Sequence, residues 1–81
     1  MIVHVLYFGI VRERIGLGEE AVELRAGSTV AELAAILSIK HGDLAAGVAT
    51  LRLAVNLNYV DPDTVLQDDD EVAVIPPVSG G

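Results

Sequence analysis

The sequence predicts an α+β domain in which a mixed sheet packs on one main helix, followed by an extended C-terminal tail. Three observations predict it. Apolar runs of strand length lie near both ends of the chain, at Ile2 to Phe8 and Glu71 to Ile75; one helical pattern with a capping signature begins at Thr29; and Pro76-Pro77 stops the last run. A helix with a single apolar face needs a sheet to cover that face, which joins these observations into one architecture.

Taken in order, Ile2 to Phe8 is apolar apart from His4, too short for a helix and rich in β-formers. Period-two alternation puts Val3, Val5 and Tyr7 on one face and His4, Leu6 and Phe8 on the other, and the half-polar second face implies partial exposure. Charged Arg12 to Arg14 and the reversal signal Gly16-Leu17-Gly18 read as a long hairpin loop. A second strand is expected over Glu20 to Arg25, with Val22 and Leu24 inward.

Thr29-Val30-Ala31-Glu32 has the form of a capping box, so a helix should start there. Val30, Leu33, Ile36, Leu37 and Lys40 keep helical spacing. Lys40 and His41 suit the negative end of the helix dipole, and Gly42 is the expected left-handed stop. Asp43 to Thr50 reads as a connection or a short helical turn, Leu51 to Val55 as a strand, Asn56-Leu57-Asn58 as a turn, and Tyr59-Val60 as a short paired segment ended by Asp61-Pro62-Asp63. Leu66 is an isolated apolar anchor before the acidic turn Asp68-Asp69-Asp70. Placing the last strand centrally beside the first gives a β-grasp, ubiquitin-like arrangement: residues 1–75 form one domain and residues 76–81 an extended tail.

The 81 residues suffice for one modest core, since a chain of this size buries roughly 60% of its unfolded surface. With no cysteine, disulfides, thiolate metal sites and thiol nucleophiles are excluded. A net charge of -7 with only five cations argues against nucleic acid. That acidity either favours a partner with a basic surface or serves solubility alone. No stretch approaches the ~20 apolar residues of a membrane span, and no signal-peptide pattern is present, so a cytoplasmic location is expected. The acidic turn lacks EF-hand spacing, and His4 and His41 have no accompanying ligand set, so no metal site is expected.

The tail reads Pro76-Pro77-Val78-Ser79-Gly80-Gly81. The prolines remove backbone donors and favour an extended path, and six residues reach on the order of 20 Å. Glycines without side chains suit a narrow channel. A terminal carboxylate becomes electrophilic only when one oxygen is turned into a leaving group, as in an acyl adenylate. No Walker-type loop is present, and Gly16-Leu17-Gly18 lacks dinucleotide spacing, so ATP must be bound by a partner. Sulfur attack on the adenylate would leave a thiocarboxylate, which needs no cysteine in this chain.

Val5-Leu6-Tyr7-Phe8 with Val11-Arg12-Glu13, then Thr29-Val30, Ala54-Val55-Asn56, Asp70-Glu71-Val72-Ala73 and above all the Pro-Pro-Val-Ser-Gly-Gly tail resemble the small subunits of molybdopterin synthase (MoaD) over almost the full length. The resemblance implies a sulfur carrier that is not an enzyme by itself. Its Gly81 would be adenylated by a MoeB-like activating enzyme using ATP, converted to a thiocarboxylate, and inserted into the MoaE-like large subunit. There it would donate sulfur to a cyclic pyranopterin to build the molybdopterin dithiolene. Gly80 maps onto the partner glycine of Gly81, Pro76, Pro77, Val78 and Ser79 onto the inserted tail, and Phe8, Tyr59 and Ile75 onto an apolar docking surface. For Tyr59 and Ile75 a core position fits the pattern equally well. At Asp69 the family usually carries glycine; if φ is positive there, Asp costs roughly 1 kcal/mol relative to Gly.

Three other readings share parts of this pattern. A carrier serving thiamine synthesis or tRNA thiolation also ends in Gly-Gly, although the long Arg12 to Gly27 segment fits the molybdopterin subunit better. A ubiquitin-like modifier would use the same adenylate to acylate lysines. A plain interaction module would have an inert tail.

Overall fold

A computed structural model describes residues 1–42 and 52–75. The expected connection Asp43 to Thr50, with Leu51, and the tail Pro76 to Gly81 lie outside the described residues. Among the described residues the elements run β1 (Ile2–Tyr7), α1 (Gly9–Ile15), β2 (Glu19–Glu23), α2 (Val30–Lys40), β3 (Arg52–Val55), β4 (Asn58–Tyr59) and β5 (Glu71–Ile75).

The strands form one sheet in the order β2-β1-β5-β3-β4. β1 pairs antiparallel with β2, placing Val3 opposite Val22, and parallel with β5, placing Val5 opposite Val72. β3 pairs antiparallel with both β5 and β4. A parallel pair needs a crossover connection, and α2 lies within the one that joins β1 to β5. First and last strands are thus central neighbours with α2 across one face, which is the β-grasp topology expected above.

Alternation assigns the faces. Val3, Val5 and Tyr7 of β1, Val72 and Val74 of β5, Val22 and Val55 meet Val30, Leu33 and Leu37 of α2 in one core, with Leu66 buried among them. Truncating a residue such as Leu33 to Ala would cost roughly 2 to 5 kcal/mol. α2 starts where the capping signature puts it, the Glu32 amide donating to Thr29 Oγ1 at 3.2 Å. Its first turn is further tied down by the Val30 amide to the Thr64 carbonyl and the Ala31 amide to the Pro62 carbonyl, both at 3.0 Å.

Four expectations are corrected. The segment read as a long hairpin loop contains α1, a helix of about two turns. It is too short to persist alone and is anchored by buried Val11. Gly16, at φ 82°, ends it in the left-handed conformation, its amide donating to the Arg12 carbonyl. Gly42 is not the left-handed stop of α2; that helix ends at His41, with φ -123° and ψ 80°. The short paired segment is Asn58–Tyr59 and not Tyr59-Val60. The apolar stripe of α2 is narrower than its spacing implied, because Ile36 lies at the edge of the buried face.

The acidic turn is a structural clamp. Asp68 Oδ1 accepts from the Ile2 amide at 2.8 Å, the Asp69 amide donates to the Ile2 carbonyl at 2.7 Å, and Asp70 Oδ2 accepts from the Gln67 amide at 2.8 Å. The Asp68 carboxylate thus ties the turn to the start of β1, while the Asp70 carboxylate closes the turn on itself just before β5.

Candidate functional site

Among the described residues no element covers the sheet face opposite α2. The register lines up Leu6 with Ala73, Ala73 with Ala54, and Ala54 with Tyr59, so one apolar row crosses β1, β5, β3 and β4 on this face, with Glu19 beyond Leu6 at its edge. Toward the C-terminal end of β5 comes Ile75, opposite Arg52 in the backbone register. Phe8 follows Tyr7, the partner of Val74, and its own backbone is extended (φ -129°, ψ 159°). Alternation therefore continues through Phe8 and places it beside Ile75 at this end of the sheet.

The three proposed docking residues thus share one face. Phe8 is 46% exposed, Tyr59 is 62% exposed and Ile75 is half-buried. For Tyr59 and Ile75 this decides between the two placements the sequence left open: neither belongs to the core packed against α2. Leu6 and Ala73, both half-buried, complete the surface, and neither was singled out for it. Their signal lay in the register of β1 against β5, which spacing within a single strand does not contain.

At the opposite end of the face the character changes. His4 stands between Ala21 and Glu71, and its Nε2 lies 3.3 Å from Asp69 Oδ1. Asn56 bridges Asp70 and Glu71, donating to Asp70 Oδ1 at 2.9 Å and accepting the Glu71 amide at 3.0 Å. The face therefore runs from a polar, acidic end to an apolar end, and β5 enters its tail at the apolar end. The tail residues Pro76, Pro77, Val78, Ser79, Gly80 and Gly81 lie outside the described residues. Among the described residues no group of three or more His, Asp or Glu side chains is arranged to hold a metal ion.

A second polar constellation lies on the helix side of the sheet. Glu20, on β2, has a side chain only 9% exposed and draws donors from two other elements. Tyr7 Oη donates to Glu20 Oε2 at 2.7 Å, His41 Nε2 approaches the same oxygen at 2.6 Å, and Lys40 Nζ pairs with Oε1 at 2.5 Å. The Tyr7 and His41 rings meet edge to face, 5.9 Å apart. Burial works against the carboxylate, but hydrogen bonds from Lys40, Tyr7 and His41 outweigh it and hold the Glu20 pKa down to about 2. Burial, with Glu20 beside it, pushes the Tyr7 hydroxyl well above its ordinary value. The sequence held one hint of this cluster, since an inward Tyr7 needs a partner for its hydroxyl.

A β-grasp domain with an open apolar sheet face at the root of a Gly-Gly tail belongs to the ubiquitin-like class. Within that class, residues 5–81 match the ThiS family, and the chain belongs to it. It is 41% identical over 83 residues, with 100% of each chain covered, to the molybdopterin synthase sulfur carrier subunit of Chlamydomonas reinhardtii. It is 42% identical over 80 residues to the protein of the same description from Mycobacterium tuberculosis, covering 98% of this chain and 96% of the other. Among solved structures it resembles a chain in the complex of subunits 1 and 2 of molybdopterin-converting factor from Helicobacter pylori, with a TM-score of 0.74, 32% identity and 100% of each chain covered.

Proposed function

We infer that this chain is the sulfur carrier subunit of a molybdopterin synthase, the sulfur-donating part of a heteromeric transferase and not a catalyst alone. The observation that carries the reading is mechanical: β5, which lies within the open apolar face, is the strand that leads into Pro-Pro-Val-Ser-Gly-Gly. A partner that covers this face receives the tail at a defined point. The full-length likeness to sulfur carrier subunits, and to a chain solved in complex with its subunit 2, supports the same partner class here.

In this reading Phe8, Tyr59 and Ile75 seat the large subunit, with Leu6 and Ala73 completing the contact. Pro76 and Pro77 keep the tail extended, Val78 and Ser79 pass into the partner, and Gly80 and Gly81 occupy its narrow end. Chemistry begins on a different partner, an adenylating activating enzyme. A Gly81 carboxylate oxygen attacks the α-phosphate of ATP and pyrophosphate leaves; sulfide then forms a C–S bond to the Gly81 carbonyl carbon as the bond to the adenylate oxygen breaks, AMP leaves, the sulfide proton passes to solvent, and the thiocarboxylate results. Two such carriers supply the two sulfurs of the dithiolene. The chain holds no cofactor of its own, and ATP belongs to the activating partner. The reading places this step in the cytoplasm; among the described residues no helix is long and apolar enough to cross a membrane.

The test is reconstitution with the large subunit and the cyclic pyranopterin substrate. The thiocarboxylated chain should support dithiolene formation, and the chain lacking Gly80 and Gly81 should support none while still competing for the large subunit. Dithiolene formation by the truncated chain would contradict the carrier mechanism.

A further inference from the structure

The acyl adenylate of the proposed function is open to amines as well as to sulfur. An amine Nζ lone pair would form a C–N bond to the Gly81 carbonyl carbon as the bond to the adenylate oxygen breaks, AMP would leave, and the amine proton would pass to solvent. The product, a self-conjugate, would be dead as a carrier. The chain is poor in groups that can do this. It has no cysteine, and Lys40 is its single lysine, the other four cations being arginines, whose guanidinium groups stay protonated.

That one lysine is engaged. Lys40 Nζ lies 2.5 Å from Glu20 Oε1, on a carboxylate that is itself fixed by Tyr7 Oη at 2.7 Å and His41 Nε2 at 2.6 Å and is nearly inaccessible to solvent. The Met1 amino group is held as well, donating to the Leu24 carbonyl at 2.8 Å. By contrast, Arg12 and Arg14 on α1 are exposed and form no ion pair among the described residues.

We propose that Glu20 is a specificity-determining residue of the carrier: by pairing with Lys40 it keeps the chain's single lysine from capturing the activated Gly81 acyl group, which is thereby reserved for sulfur. Tyr7 and His41 act as positioning residues that hold the Glu20 carboxylate toward Lys40. The inference rests on the acyl-activated Gly81 of the proposed function, yet its chemistry is accessible without an activating enzyme.

The full chain is prepared with a C-terminal thioester on Gly81, and amide-linked products, cyclic or dimeric, are followed by intact mass and peptide mapping at mildly alkaline pH. Added methylamine must give the Gly81 amide, which establishes that the acyl group reacts independently of any carrier function. Parent chain should then form little Lys40 linkage, Glu20→Gln should raise its rate roughly threefold, the scale of freeing a half-exposed ion pair, and Glu20→Gln/Lys40→Arg should return to the baseline. An Arg14→Lys chain, which keeps Glu20, should be acylated faster at position 14 than at Lys40 in the same molecule. The order should persist with an N-acetylglycine thioester as external donor, where tail reach plays no part. Equal rates at the two positions would overturn the proposal, and this comparison decides the matter even if Glu20→Gln fails to fold. A sulfur-transfer failure in the reconstituted synthase with these rates unchanged would instead count against the carrier reading alone.

Discussion

Asp69 sits at φ 66°, in the left-handed region that glycine tolerates without cost. The sequence identified this position through the glycine usual there, and the turn keeps its geometry because backbone and side-chain hydrogen bonds on both sides over-determine it. Asp69→Gly should therefore stabilise the domain by about 1 kcal/mol in denaturant unfolding, the exposed His4 contact adding little in return. An unchanged or lower midpoint would show the turn to be unstrained. Glu20 gives a second expectation at this scale. Its pKa falls from an ordinary 4.5 to about 2 in the folded state. A depressed carboxylate contributes stability that is complete above its unfolded value and is lost as pH falls toward its folded value. Between about pH 4.5 and about 2 the parent should lose stability more steeply than Glu20→Gln, as read by thermal unfolding across that window. Parallel curves would remove Glu20 from the acid response. Neither Lys40 nor His41 could be paired with Glu20 from spacing, because the contact joins α2 to β2 across the fold.

Among the elements, the regular ones were legible and the short ones were not. β1, β5 and α2 carry their own signals in period-two runs and in a capping box, and they stand where those signals put them. α1 does not: a seven-residue helix has little intrinsic stability, and its sequence offers an arginine-rich stretch between glycines where a loop reads as well. Tertiary contact through Val11 supplies what propensity lacks. The turn between β3 and β4 shows the opposite case, since Asn56 at φ 48° fits its type while Leu57 at φ 74° does not, and Leu57 is left 90% exposed. Phe8 connects β1 to α1, and the alternation of β1 assigns it to the open face. Phe8→Ala should weaken binding to the large subunit by roughly tenfold or more, as expected of an aromatic anchor. The same change should cost less than about 1.5 kcal/mol of stability, against the ~3 to 5 kcal/mol of a buried aromatic. Calorimetric binding and thermal unfolding on one sample separate these outcomes, and a severe stability loss with unchanged affinity would move Phe8 into the core.

At the scale of the molecule, the acidic turn and the apolar end of the docking face lie at opposite ends of β1 and β5. Asp68, Asp69, Asp70 and Glu71 gather where β1 and β5 begin, joined to β1 through the Ile2 and His4 amides. Phe8 and Ile75 lie at the other end, where the tail starts. The net charge of -7 therefore does not describe the apolar end of the docking face, and composition alone had no means of separating the two. The central pairing of first and last strands followed from their apolar character, whereas the row Leu6, Ala73, Ala54 and Tyr59 required the register. β5 leads in sequence to Gly81, the proposed reactive terminus, and the most direct measurement is the intact mass of the chain after incubation with an activating enzyme, ATP and a sulfur donor. The account predicts a gain equal to one oxygen-to-sulfur exchange, localised to Gly81 by fragmentation and absent when ATP is withheld; an unchanged C-terminal peptide, under conditions that thiolate a control carrier, would contradict it.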